Sequence, residues 1–319
     1  MQIIAPLVGA CSGPNARTKP PAGAIIVDAA GAHSGSVRTV ADGVAKLPNT
    51  TAEHTLFVFP GVYEEQVIIS KLIGCDTTSY TTNEVTISHA LAQKDNPASI
   101  SKDRNDFTTT LHLRTDNVKI GNLNIANMAG KINAVSVVGT NSGFYACYFT
   151  GYRDALYANK GANLYAKSYI SGVEDFIFGQ YASAWFESCD IVSIDAGHIT
   201  ANGRDSDTNP SQYVFNNAHV SGTAKPGSVY LGRPWQPYAR VVFQNSKLVK
   251  VVNPAGWELW EDNDNNTANI YFEKYNNSGA GAATDDRADF SRVLAKSVAI
   301  ADVLGENCES AGRVDTAFL

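Results

Sequence analysis

The feature that most limits how this chain can fold is a short apolar pattern returning at uneven intervals. It begins at Ile120 and then reads FYACYFTG from Phe144, YAKSYISG from Tyr165, FESCDIVS from Phe186, FNNAHVSG from Phe215, FQNSKLVK from Phe243 and FEKYNNSG from Phe272. Each copy opens on a large apolar residue, with an aliphatic or aromatic one usually five positions later and glycine often two beyond that. Successive spacings are 24, 21, 21, 29, 28 and 29 residues. Such drift excludes an exact repeat such as an ankyrin array. It fits a parallel β-helix, an all-β solenoid whose coils carry short strands and absorb insertions in their turns. The intervening segments agree: NVKIGNLNIAN, NAVSVVG and ARVVFQNS are short runs rich in Val, Ile and Phe. No helical period of useful length interrupts residues 110–280, which argues against alternating strands and helices. An antiparallel sandwich is the competing architecture, weakened by the scarcity of Asn-Gly hairpin signals.

An open coil exposes apolar interior and unpaired strand edges, so both ends need covers. Val37, Val40, Val44 and Leu47 fall on one helical face, with Ser36 placed to cap the start and Pro48 to stop it. This predicts an N-terminal capping helix. Residues 287–305 have helical character at Phe290, Val293 and Leu294 and are expected to pack back along the coils.

The repeat also predicts a column. Eleven residues before each aligned start stand Thr109, Asn133, Asp154, Asp175, Arg204, Gly232 and Glu261. Equivalent positions on successive coils lie about 4.8 Å apart. Asp154 and Asp175 should therefore stack, flanked by Asn133 and Arg204, with Arg233 one residue off the line. Two carboxylates that close resist ionising together, and an arginine beside one decides which keeps its charge. One acid and one nucleophile is the division of labour that acyl transfer requires. A bare ladder of turn residues would give the same spacing. Aromatics crowd the same stretch, however: Tyr152, Tyr157, Phe176, Phe178, Tyr181, Trp235 and Tyr238 suggest a sugar-binding cleft, with Phe176 or Tyr152 as candidates for interior packing.

A net charge of −6 and a pI near 5.5 leave no basic stripe for nucleic acid. No run of 18 apolar residues offers a membrane span. Residues 1–23 read as an export leader or an appended tail, and 24–319 as a single domain. Cys11, Cys75, Cys147, Cys189 and Cys308 have no metal-ligand spacing, and an odd count leaves at least one thiol free unless Cys11 is removed with a leader. Asn49, Asn265 and Asn276 head sequons, so a secreted chain could be a glycoprotein. The six histidines show no ligand spacing and read as surface or turn residues without a metal.

The segments GVYEEQ (61–66), GYRDALY (151–157), SGVEDFIFG (171–179), ITANGR (199–204) and LGRPW (231–235) resemble, in order and spacing, the signatures of the pectinesterase family, most closely its fungal members. DFIFG with LGRPW is the specific part, and the likeness runs from about Ala24 to the C-terminus. The resemblance implies a secreted, extracellular, cell-wall-acting esterase with a right-handed parallel β-helix fold, a monomer, that demethylates pectin without metal or cofactor. It implies Asp175 as nucleophile, Asp154 as acid then base, Arg233 holding Asp175 ionised, and Trp235, Tyr157 and Phe178 contacting substrate. Gly61, Tyr63 and Glu65 match a motif read as structural.

Three residues depart from the family pattern. Asn133 and Arg153 stand where it usually has oxyanion-binding glutamines, and Glu174 where it prefers an apolar residue. Because Arg153 and Glu174 fall twelve residues before successive repeat starts, they could form an ion pair. Alternatives are an impaired homologue that only binds pectin, and a galacturonan-cleaving β-helix hydrolase, since carboxylates roughly 5 Å apart also serve retaining glycosidases. A calcium-dependent lyase would need an acidic oxygen cluster. The only acid-dense stretch, WEDNDNN (260–266), reads as a solvated loop.

Overall fold

The computed structural model describes residues 18–48, 50, 52, 54–69, 79–92, 95, 97, 99, 104–129, 134–261, 267–283, 285–309 and 314–319. Its strands pair in parallel throughout, coil upon coil. One coil can be followed directly. Strand Ser142–Tyr145 leads through a corner to Tyr148–Thr150, then through a bend to Leu156–Ala158, and Lys160–Ala166 begins the next turn above the first strand. Three faces result, and the second bend of each coil is where the site is built.

The recurring aromatics form the interior stack. Phe144 pairs in register with Tyr165, Tyr165 with Phe186, Phe186 with Phe215 and Phe215 with Phe243. Their rings lie 5.2, 4.8, 4.3 and 4.3 Å apart, nearly parallel. The strand spacing itself enforces that stacking distance. At the last coil the sequence alignment slips. Phe243 pairs with Lys274, whereas Phe272 pairs with Val241. Lys274 occupies the inward place, and its burial pushes the ammonium down to about 8. An apolar pattern finds that coil two residues out of register because a lysine stands at its inward place.

Two residues after each inward residue of this row, Ile120 and Lys274 included, the chain turns a corner in the left-handed region. Asn122, Ala146, Lys167, Ser188, Asn217, Asn245 and Asn276 carry this conformation, with φ between 47° and 55°. Four of the seven are asparagine, the non-glycine residue that tolerates it best. They also bond along the axis, Asn276 donating to Asn245 Oδ1 at 3.0 Å and Asn245 to Asn216 Oδ1 at 2.9 Å.

At the N-terminal end a short helix, Val40–Ala45, places Val40 and Val44 against the core, with Leu47 just beyond it. Its N-cap is Thr39, not Ser36, whose hydroxyl instead donates to His33 O. Val37 lies outside the helix, bridged in parallel to Val27. The GVYEEQ segment explains why the helix starts where it does. Glu65 accepts from the free N–H groups of Val40 and Ala41 at 2.7 and 2.9 Å, and Tyr63 donates to Phe59 O. A carboxylate on two unsatisfied helical donors is favourable in both charge and geometry.

The C-terminal segment is less helical than expected. Ser291–Val293 is a strand extending the last sheet, and helix is confined to Ile300–Leu304. Val303 and Leu304 pack on the outside of the coils, in a second apolar cluster with Tyr145, Leu164 and Trp185. Cys147, Cys189 and Cys308 are buried, whereas Cys11, Cys75 and the sequon residues Asn49 and Asn265 lie outside the described residues.

Candidate active site

The site begins with two bends. Asp154 and Asp175 both have left-handed backbone, φ 57° and 49°, where the chain passes from one face to the next. Aspartate tolerates this conformation, and residues so held cluster at functional sites. Val135, Leu156 and Ile177 are in register on three successive coils. Asp154 and Asp175, two residues before the latter pair, are therefore neighbours across one coil step, as the column predicts. Asn133 is two residues before Val135 and lies outside the described residues.

Above Asp175 the predicted column breaks. A bulge lets Glu174 pair with His198 and Ile177 with Thr200. Arg204 thus sits four positions past Thr200, beyond the row of the carboxylates, and never reaches them. It is buried, and its guanidinium bonds the carbonyls of Asn209, Asp207 and Tyr238 at 2.7, 2.6 and 3.2 Å. The extra residues of this longer repeat follow the site strand instead of preceding it, so counting back eleven from Phe215 stops short of the row. Gly232 also moves, pairing with Thr200, and Glu261 lies four residues past Trp257, the bridge partner of Gly232.

Arg233 supplies the missing cation from a different row. It pairs with Ala201, and Ala201 with Phe178, in line with Tyr157. From there its side chain returns to Asp175 in a two-pronged contact, Nε to Oδ1 at 3.1 Å and Nη2 to Oδ2 at 2.6 Å. Nη2 also donates to Glu174 Oε1 at 2.7 Å. Both partners are withdrawn from water, the side chains being 15% and 6% exposed. Planar guanidinium matches carboxylate in this geometry, which is the strong form of the pair. The indole of Trp260 stacks 4.4 Å from the guanidinium carbon and fixes its remaining face. Burial tends to lower the Arg233 value, but Asp175 and Glu174 prevail and raise it.

Among the described residues Asp154 has no such clamp. Burial pushes its carboxyl up to about 7; the nearby Arg153 and Arg233 pull it down, while Asp175 and Glu174 push it up. Close to neutral pH it can carry or release a proton, the condition for an acid that later serves as base. The same shift has a cost. Below about pH 4 native and unfolded chains both hold this proton, and above about pH 7 neither does. Between those values only the native state holds it, so stability falls as pH rises across that window. Asp154→Asn should therefore stabilise the fold at pH 8 by about 2 kcal/mol, less than the roughly 4 kcal/mol of the full shift because solvent reaches the groove. At pH 4 little difference should remain. Thermal unfolding at the two pH values reads this directly.

Aromatic side chains line the adjoining groove. Tyr157 and Phe178 stack at 4.5 Å, with Trp235 6.4 Å from Phe178 and Trp260 6.3 Å from Trp235. Gly203 makes room for this, since a Cβ there would meet the Trp235 ring at 2.7 Å. Phe176 is interior, as one expectation had it, but Tyr152 is 40% exposed and belongs to the surface. Tyr181 is exposed, and Tyr238 packs under Arg204.

Arg153 and Glu174 are bridge partners on adjacent coils, their charged groups 3.5 Å apart. Two histidines read as surface residues are buried instead. His112 sits beside Asp106, and His198 bonds Glu258 at 2.5 Å and stacks on Tyr230. Sequence reading passed over Trp260 and the His198–Glu258 pair. The signal for Trp260 was its place after Trp257, which the bridge to Gly232 brings beside LGRPW.

A parallel β-helix carrying a carboxylate pair, an arginine clamp and an aromatic groove has the make-up of a polysaccharide-processing enzyme. The family model described as Pectinesterase matches residues 25–302. A pectinesterase from Aspergillus niger is 41% identical, the match covering 95% of this chain and 94% of that protein. One from Aspergillus aculeatus is 38% identical with the same coverage. The crystal structure of the pectin methylesterase from Aspergillus niger in deglycosylated form superimposes with a TM-score of 0.83 at 34% identity, covering 95% of this chain and 99% of that one. The chain belongs to the pectinesterase family, the carboxylic ester hydrolases whose substrate is pectin.

Proposed function

We propose that this pectinesterase releases methanol by a two-step exchange at Asp175. Its carboxylate attacks the C6 carbonyl of a methyl-esterified galacturonate, giving a tetrahedral oxyanion that collapses to an acyl-enzyme. Asp154 gives its proton to the departing methoxide, so methanol leaves neutral. Asp154 then takes a proton from water, whose oxygen attacks the acyl carbon and frees Asp175 and the galacturonate. Arg153, and Asn133 by its place in the column, would donate to the oxyanion, a service worth about 3–4 kcal/mol of barrier for a well-placed donor. Tyr157, Phe178 and Trp235 would hold sugar rings. The observation that carries this reading is the asymmetry of the pair: one aspartate is clamped by Arg233, while its neighbour titrates near neutrality.

The unit that acts is read as residues 24–319, a secreted monomer working outside the cell on pectin, with no nucleic acid or membrane partner and no metal or cofactor. Highly methylated pectin assayed in parallel for methanol and for new reducing ends tests the reaction. Methanol should accumulate with the reducing-end count unchanged. New reducing ends without methanol would move the chain to the galacturonan-cleaving hydrolases, and neither product would leave a binding protein.

A further inference from the structure

Glu174 is the one charged residue of the site for which the proposed mechanism has no use. It immediately precedes the nucleophile, where an apolar neighbour would serve to pack. Its Oε1 accepts from Arg233 Nη2 at 2.7 Å, the same nitrogen that holds Asp175 Oδ2 at 2.6 Å. The same oxygen lies 3.5 Å from Arg153 Nη2. Arg153 is 41% exposed, and Glu174 is its only ion-pair partner among the described residues. On its other side Glu174 pairs in register with His198, already committed to Glu258. Glu174 is thus a hinge between the two guanidinium groups that border the aspartates.

The charges make its role definite. Asp154 is faced by Arg153, Glu174, Asp175 and Arg233. With Asp154 protonated, two guanidinium groups oppose two carboxylates and the cluster is neutral. Remove Glu174 and an uncompensated positive charge remains, most simply relieved by ionising Asp154. Remove Arg153 instead and a negative charge remains, which favours the protonated acid.

We infer that Glu174 is a positioning residue that ties Arg153 and Arg233 together and offsets the cation beside Asp154, so that Asp154 keeps the proton it must deliver. This rests on the reading of Asp154 as the acid. The directions of influence on Asp154 agree, since Arg153 lowers its value and Glu174 raises it. Glu174 also makes an arginine tolerable at 153, where it can act as a strong hydrogen-bond donor without discharging its neighbour. The two residues are then a compensating pair.

The test is the pH dependence of kcat/KM for methanol release in wild type, Glu174→Gln, Arg153→Gln and the double variant, with Asp154→Asn as reference. The basic limb of the wild-type profile should move down by about one pH unit in Glu174→Gln, the size expected when one nearby charge is left unbalanced. It should move up in Arg153→Gln and return near the wild-type position in the double variant. A structural role alone would lower the rate and leave the limb in place. An unmoved limb in Glu174→Gln, or a double variant displaced as far as Glu174→Gln alone, overturns the inference. If Asp154→Asn retains the wild-type limb, the acid assignment itself has failed, a result distinct from the failure of Glu174.

Discussion

Asp175→Asn should reduce methanol release by roughly four to six orders of magnitude, with affinity for pectin little changed. The substitution keeps the shape of the side chain and an oxygen for Arg233 Nε to donate to, but an amide has no charge with which to attack the ester. Asparagine also tolerates the left-handed backbone that residue 175 adopts, so the fold survives. Steady-state methanol release beside pectin retention in affinity electrophoresis separates chemistry from binding. Loss of both together would mean that Asp175 holds the groove in shape rather than attacking. Loss of neither would remove it from the reaction.

Arg233→Ala is expected to lower kcat by about 10²–10³-fold with a smaller change in KM. Three contacts disappear together: two bonds to Asp175 and one to Glu174. The nucleophile loses its orientation and gains freedom to turn from the ester. It is also left as a buried carboxylate without a partner, for which a penalty of about 3–5 kcal/mol is typical. Thermal stability should therefore fall at pH 7. Arg233→Lys should recover little of the rate, because one ammonium cannot meet both carboxylate oxygens while stacking on Trp260. A lysine variant of near wild-type kcat would show that charge alone suffices.

How far these residues could be read from sequence depends on what each position needed. Phe144 to Phe243 gave up the coil because interior stacking demands large rings at one place per turn. Lys274 did not, since a buried lysine breaks an apolar pattern that the backbone still follows. Asp154 and Asp175 emerged because both intervals around them are 21 residues, with nothing inserted between strand and bend. Arg204 was drawn into the column wrongly because residue counts carry no information on which side of a strand an insertion falls. Arg233 was found by its resemblance to a family motif and misplaced by spacing, as its row is that of Tyr157 and Phe178. Its side chain spans the gap by length. The N-terminal helix was legible from apolar spacing, but its capping by Glu65 joins residues 25 positions apart and leaves no local trace. Asn133 falls outside the described residues, so its part in the oxyanion site stays a proposal.

The most direct test of the central claim is a carbon-13 NMR titration of labelled aspartate carboxyls in the free enzyme, with Asp154→Asn to assign the signal. The account predicts a midpoint near pH 7 for Asp154, so that two acids one coil apart differ in charge at working pH. A midpoint near pH 4 would contradict it, for residue 154 would then enter the reaction with no proton to give.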